Sequence, residues 1–246
     1  MGVGNAFMKI CYVATAVVGL TLPALGQSAL APAWLADPVN GCRVWIADPE
    51  PRETISWSGT CPKGTAEGRG LLQRFKSGKL YGRYDGEYRD GKLNGRGVYT
   101  WASGNRYDGE FRDDRRNGRG IFTESDGNRY DGEWRNDQRQ GLGTQTWANG
   151  NRYVGEWRDD RRNGRGLFIW PSGNRYEGEY RDDKRNGRGV QTWANGDRYD
   201  GEYRDDKPNG IGTFRSADGR VYSGMWLNGC FRQGDLRASL GAGAQC

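Results

Sequence analysis

The groups in this chain that could do chemistry are mostly copies of one another. Glu87, Glu110, Glu133, Glu156, Glu179 and Glu202 follow one another at a single constant interval. A general acid or base needs one particular perturbing environment, so a carboxylate copied six times in equivalent surroundings is expected to be structural. The chain has no histidine, which removes Ser-His-Asp and Cys-His nucleophile systems and every His-ligated metal site. The pairs Asp113-Asp114, Asp159-Asp160, Asp182-Asp183 and Asp205-Asp206 lack the alternate-position spacing of a calcium loop. No enzyme, no metal and no cofactor is expected. Glu124 stands where most blocks carry Trp, and drift at one repeat is sufficient reason for it.

What remains is chemistry of binding. The formal charge is +6, unevenly spread. Residues 57–83 hold Lys63, Arg69, Arg74, Lys76, Lys79 and Arg83 against Glu67 alone, a balance of +5. Those six cations are a candidate surface for anionic lipid. The near-neutral remainder argues against nucleic acid. Trp101, Trp147, Trp170 and Trp193 recur at one or two of the same intervals and form a candidate aromatic face that could stack on sugar rings if exposed.

These residues must be positioned by repeated elements. Six blocks of equal length run from Tyr84 to Val221, starting at Tyr84, Tyr107, Tyr130, Tyr153, Tyr176 and Tyr199, with a truncated seventh at Tyr222. So strict a period marks an array in which each unit touches mainly its neighbours. In the block at 153, Tyr153, Gly155 and Trp157 alternate with Val154, Glu156 and Arg158. That period of two reads as a half-buried strand. Asn163-Gly164 then suggests a tight turn before the β-prone run at 165–170, and Ser172-Gly173-Asn174 a second turn. Each block is therefore a β-hairpin, and chained hairpins make an all-β, elongated, single-layer antiparallel sheet. Arg and Glu on the polar face, such as Glu110 with Arg112 and Glu179 with Arg181, are expected to pair across strands.

Lys9, the apolar residues 10–22 and small residues before Gln27 have the layout of a secretory signal peptide cut near Gly26. An uncleaved signal anchor is the alternative. Cys11 would leave with the signal. An even count of Cys42, Cys61, Cys230 and Cys246 in an exported chain favours disulfides. Of the three possible pairings, Cys42–Cys61 with Cys230–Cys246 puts a staple at each end of the array. A secreted or periplasmic location follows. The expected organisation is a signal at 1–26, a capping segment at 27–56, a diverged first repeat at 57–83, six repeats at 84–221, and a half repeat with a C-terminal cap at 222–246.

The aromatic-x-Gly-Glu-aromatic opening and the glycines behind it resemble the MORN repeat (membrane occupation and recognition nexus). Its pattern is Tyr-x-Gly-x-Trp-x-x-Gly-x-x-x-Gly-x-Gly, with the same period as these blocks. Trp57-Ser58-Gly59 with Gly64, Gly68 and Gly70 looks like a diverged earlier unit. From the second block onward Asp replaces the pattern's Gly at block position 8, as at Asp114, Asp137 and Asp160. The resemblance implies a twisted β-hairpin array used for protein contact, dimerisation and, in several members, membrane association. Kinase or methyltransferase domains attached to such repeats elsewhere have no counterpart motif here. Three readings follow: a non-catalytic extracytoplasmic scaffold binding a protein partner or forming a homodimer; peripheral binding to anionic lipid through the six cations; and carbohydrate binding through the tryptophans.

Overall fold

A computed structural model describes residues 30–241 and 246. The expected signal peptide and Cys11 lie outside the described residues. Two short strands come first, β1 (Ala33–Ala36) and β2 (Arg43–Ile46), paired antiparallel with each other and bridged to Thr65 through Arg43. Then follow β3 (Glu53–Trp57), β4 (Gly68–Lys76), β5 (Lys79–Arg89), β6 (Lys92–Trp101), β7 (Arg106–Arg112), β8 (Arg115–Thr123), β9 (Arg129–Arg135), β10 (Gln138–Thr146) and β11 (Arg152–Arg158). The array continues through β12 (Arg161–Ile169), β13 (Arg175–Arg181), β14 (Lys184–Thr192), β15 (Arg198–Arg204), β16 (Lys207–Arg215) and β17 (Val221–Leu227), and ends at β18 (Cys230–Gln233) and β19 (Leu236–Ser239). Every strand from β3 to β19 pairs antiparallel with its sequence neighbours, giving one sheet of 17 strands. No register joins β3 to β19, so the sheet is open.

The core is a single aromatic face. The first Tyr of each block (Tyr84, Tyr107, Tyr130, Tyr153, Tyr176, Tyr199) is at most 2% exposed. Its ring lies on two glycines, and a Cβ at Gly166 would stand 2.4 Å from Tyr153. The hydroxyl donates to the carbonyl of the Glu three residues on, at 3.0 Å for Tyr153 to Glu156. The fifth residue of each block packs edge-on against the first Tyr of its own block and of the block before. Tyr107, for example, meets Phe111 at 5.0 Å and Trp134 at 5.6 Å. Each such pair contributes about 0.5–1.5 kcal/mol beyond area burial, and the repeats are thereby zipped together.

Of the two turns expected in each block, the second falls at Ser172-Gly173, where Gly173 takes φ of 88°, and the first differs. The hairpin turn is Asp159-Asp160, with φ of 49° and 65°, both left-handed as a two-residue type I′ turn requires. Asn163-Gly164 lies inside β12, where the register with β11 shifts between Gly155 and Trp157. Gly164 takes φ of 85° there, and the Glu156 carboxylate packs beneath it. Glu156 accepts the Arg165 backbone N–H at 2.8 Å. Glu110 and Glu179 do the same for Arg119 and Arg188. The expected Glu–Arg cross-strand pairs are therefore corrected: among the described residues neither Glu110 nor Glu179 makes an ion pair, because the bulge uses their oxygens.

Both ends are closed by disulfides, Cys42–Cys61 and Cys230–Cys246. At the first end Trp57 lies over Gly59 and Gly70, as Tyr153 does over Gly155 and Gly166. The β1–β2 pair is tied on by Trp45 donating its backbone N–H to the Gly91 carbonyl at 2.8 Å. At the other end Trp226 and Phe231, 0% and 1% exposed, cover the last repeat.

Candidate functional site

Above the buried tyrosines the aromatic face carries a second layer of side chains, and these line a series of hollows. Block position 10 is Arg in the second to fifth blocks: Arg116, Arg139, Arg162 and Arg185. Each reaches into the next block and meets the Asp at its position 8. Arg139 Nε donates to Asp160 Oδ1 at 3.1 Å, Arg139 Nη2 to the Asp160 carbonyl at 2.7 Å, and the Arg139 backbone N–H to the same Oδ1 at 3.0 Å. Arg116–Asp137, Arg162–Asp183 and Arg185–Asp206 repeat this. The guanidiniums lie over the next block's fifth residue, 4.2 Å from the Trp134 and Trp157 ring centroids and 5.1 Å from Tyr180 and Tyr203. Such half-open cation–π contacts contribute about 0.5–1 kcal/mol.

Beyond the ladder runs the row at block position 18: Trp101, Glu124, Trp147, Trp170 and Trp193. The four tryptophans are half-buried. One side of each is taken by aromatic neighbours at position 16, with Trp101 to Tyr99 at 4.4 Å, Trp170 to Phe168 at 4.5 Å, Trp147 to Phe168 at 5.5 Å and Trp193 to Phe214 at 6.0 Å. Their remaining surface lines three hollows along this face. The first, about 420 Å³, lies between the N-terminal segment Trp45–Asp48 and the first repeats and includes Trp101. The second, about 330 Å³, includes Trp147 and Glu124, and the third, about 200 Å³, lies between Trp170 and Trp193. Glu124 accepts a hydrogen bond from Asn128 Nδ2 at 2.7 Å, so at that repeat the Trp edge is replaced by an anionic one.

The six cations do not form one free surface. Arg74 is corrected outright: it is 5% exposed and is held by Glu53 at 2.6 Å and Asp48 at 3.0 Å while donating to the Tyr99 hydroxyl at 2.9 Å. Burial alone would lower its pKa, but the Glu53 hydrogen bond and the fields of Tyr99, Asp48 and Glu53 outweigh it and hold the charge firmly on. Lys76 pairs with Glu50 at 2.8 Å, and Asp85 lies 3.6 Å from Arg69 and 4.0 Å from Arg83. Lys63 and Lys79 make no ion pair among the described residues. Counting charges from 57 to 83 missed the carboxylates that come from Asp48, Glu50, Glu53 and Asp85. The Asp-Asp runs are placed as turns, with the second Asp of three of them (Asp160, Asp183 and Asp206) in the ladder. Among the described residues no cluster of three His, Cys, Asp or Glu could hold a metal ion.

Sequence reasoning missed the ladder. Its signal was the coincidence of Arg at position 10 of one block with Asp at position 8 of the next, a separation slightly shorter than the period itself.

An open array of identical hairpins, with its side-chain chemistry spread along one face, defines a repeat scaffold. The MORN repeat model matches residues 84–106, 107–129, 130–152, 153–175, 176–198 and 199–219, and the chain belongs to the MORN repeat family. Proteins of this family commonly bind protein or membrane partners. No curated protein matches the chain. Among solved structures it is similar to the SAS-4 (dCPAP) TCP domain of Drosophila melanogaster, solved in complex with a proline-rich motif of Ana2 (dSTIL). The identity is 10% and the TM-score 0.31, over 87% of this chain and 96% of that one, a likeness too loose to carry any argument.

Proposed function

We propose that this chain is a non-catalytic, extracytoplasmic scaffold that binds a protein partner along its aromatic groove. The observation that carries this reading is the groove itself. Half-buried tryptophans alternate with Arg–Asp rungs along one face, giving apolar anchors with polar groups at fixed intervals, the composition of protein-binding surfaces. Carbohydrate is less favoured because each indole already has one side occupied by an aromatic neighbour. Lipid is less favoured because four of the six cations are paired or flanked by carboxylates.

The test is capture of envelope proteins by the chain from Gln27 onward, beside two variants of equal fold by circular dichroism. Changing Trp147, Trp170 and Trp193 together to Ala is expected to abolish capture of the specific partner. Changing Arg165 and Arg188 to Ala, on the opposite face, is expected to leave it intact. The reverse pattern would sink the groove reading, and salt-sensitive binding to anionic liposomes alone would favour the membrane. N-terminal sequencing of the processed protein, expected to begin at Gln27, tests export.

A further inference from the structure

The ladder has one rung missing. In the first block, position 10 is Leu93 where the next four blocks carry Arg. The backbone frame around it is unchanged. The Leu93 N–H donates to Asp114 Oδ1 at 2.9 Å, and the Asp114 N–H donates to the Leu93 carbonyl at 3.1 Å. One block on, the matching bonds are Arg116 to Asp137 at 3.0 Å and Asp137 to Arg116 at 3.0 Å. Only the guanidinium is gone. In the next block that guanidinium rests on Asp137, Phe122 and Trp134. The residues at the same block positions one repeat earlier are Asp114, Tyr99 and Phe111, and all three line the 420 Å³ hollow under the Trp45–Asp48 segment.

We infer that this hollow receives the cationic side chain of the bound protein partner, an arginine whose guanidinium supplies the missing rung against Asp114 and over Phe111. The inference rests on the groove reading and names the chemistry that one end of the groove selects. The charges around the hollow are consistent with it. Arg74 is already engaged by Glu53 and Asp48, and Arg116 by Asp137. Lys92 lies over the Trp45 ring at 5.8 Å and makes no ion pair among the described residues. Asp48, Glu53, Asp114 and Asp137 outnumber the cations Arg74, Lys92 and Arg116. Burial lifts the Asp114 carboxyl to about 6, as expected for an anion whose usual counter-ion is absent. Four other rungs of the same chain show that these acceptors and rings hold a guanidinium when one is present.

The experiment is titration of the chain from Gln27 onward with N-acetyl-arginine amide at neutral pH and low salt, followed by the indole N–H resonances. Saturable shifts are expected at Trp101 and Trp45, and not at Trp193. Asp114→Asn is expected to weaken binding about ten- to a hundredfold, the loss of one charge-assisted hydrogen bond. Leu93→Arg is expected to abolish binding and raise Tm, because the chain then fills its own site. N-acetyl-lysine amide is expected to bind more weakly, lacking the planar fork. Tetramethylammonium binding as tightly as the arginine probe would overturn the arginine assignment in favour of a small organic cation. Equal binding to Leu93→Arg, or no saturable binding to the wild type, would overturn the site. The groove reading fails separately: probe binding with capture unaffected by the Trp147, Trp170 and Trp193 changes would leave the cation site and remove the groove.

Discussion

Asp114, Asp137, Asp160, Asp183 and Asp206 occupy one block position, and four of them face an arginine. Asp114 does not, and the difference is measurable as a pH dependence. Burial raises its carboxyl to about 6, with the Leu93 N–H and Lys92 pulling it down and Asp113 and Asp137 pushing it up. In the unfolded chain the same group titrates at its ordinary value of 3.8. Between those two pH values the folded state holds a proton that the unfolded state has lost. Stability therefore falls as pH rises through this window and stays reduced above it. Two pKa units correspond to ~3 kcal/mol at full burial, and partial exposure reduces this to about 1 kcal/mol. Asp114→Asn keeps the acceptor for the Leu93 N–H and removes the charge. Urea midpoints should show it about 1 kcal/mol better relative to wild type at pH 7.5, above both values, than at pH 3, below both. A difference independent of pH would mean that Asp114 is not desolvated. None of this was legible from Asp114 itself, because the sequence does not show that Leu93, in the block before, will face it.

At the scale of the hairpin, the strand pattern and the second turn were legible and the first turn was not. Period-two alternation of Tyr153, Gly155 and Trp157 against polar neighbours placed both the strand and its buried face. Asn163-Gly164 has the stronger turn chemistry by composition, yet it is used at a bulge, where Glu156 fills the space under Gly164. The turn falls instead on Asp159-Asp160, residues that tolerate left-handed φ less well than Asn or Gly. Position 8 is thus under two demands, and substitutions separate them. The Asp159 side chain makes no hydrogen bond among the described residues, so Asp159→Asn should stabilise by ~0.3 kcal/mol through turn preference alone. Asp160→Gly fits φ of 65° better still but cuts the bond to Arg139, and should cost about 1 kcal/mol net. Thermal unfolding of the two variants decides the matter. A stabilised Asp160→Gly would mean that the rung contributes nothing and the Asp is there for the turn.

At the scale of the molecule, the period made the open array legible and a capping segment was expected at 27–56, while the way that cap docks was not legible. Residues 33–46 lie outside the repeat, so nothing in the block pattern announces that Trp34 will lie against Gly91 or that Trp45 will bond to its carbonyl. Within the array, cohesion passes from each block to the next through the aromatic zipper and the Arg–Asp rungs. Such a molecule should behave as a one-dimensional stack with stapled ends. Deleting residues 153–175 joins Arg152 to Tyr176, restoring the Arg–Tyr junction found between the other blocks, and leaves both disulfides in place. The shortened chain should fold with the same far-ultraviolet spectrum per residue and a lower midpoint. Its urea m-value should fall by about a tenth, in proportion to the surface removed. Deleting only 153–163 removes one strand with its turn and leaves an odd number of strands between the caps. Every later aromatic face then meets the wrong neighbour, and this chain should lose its protease resistance. If the half-block deletion proved as stable as the whole-block one, block-to-block aromatic packing would not be what holds the array together.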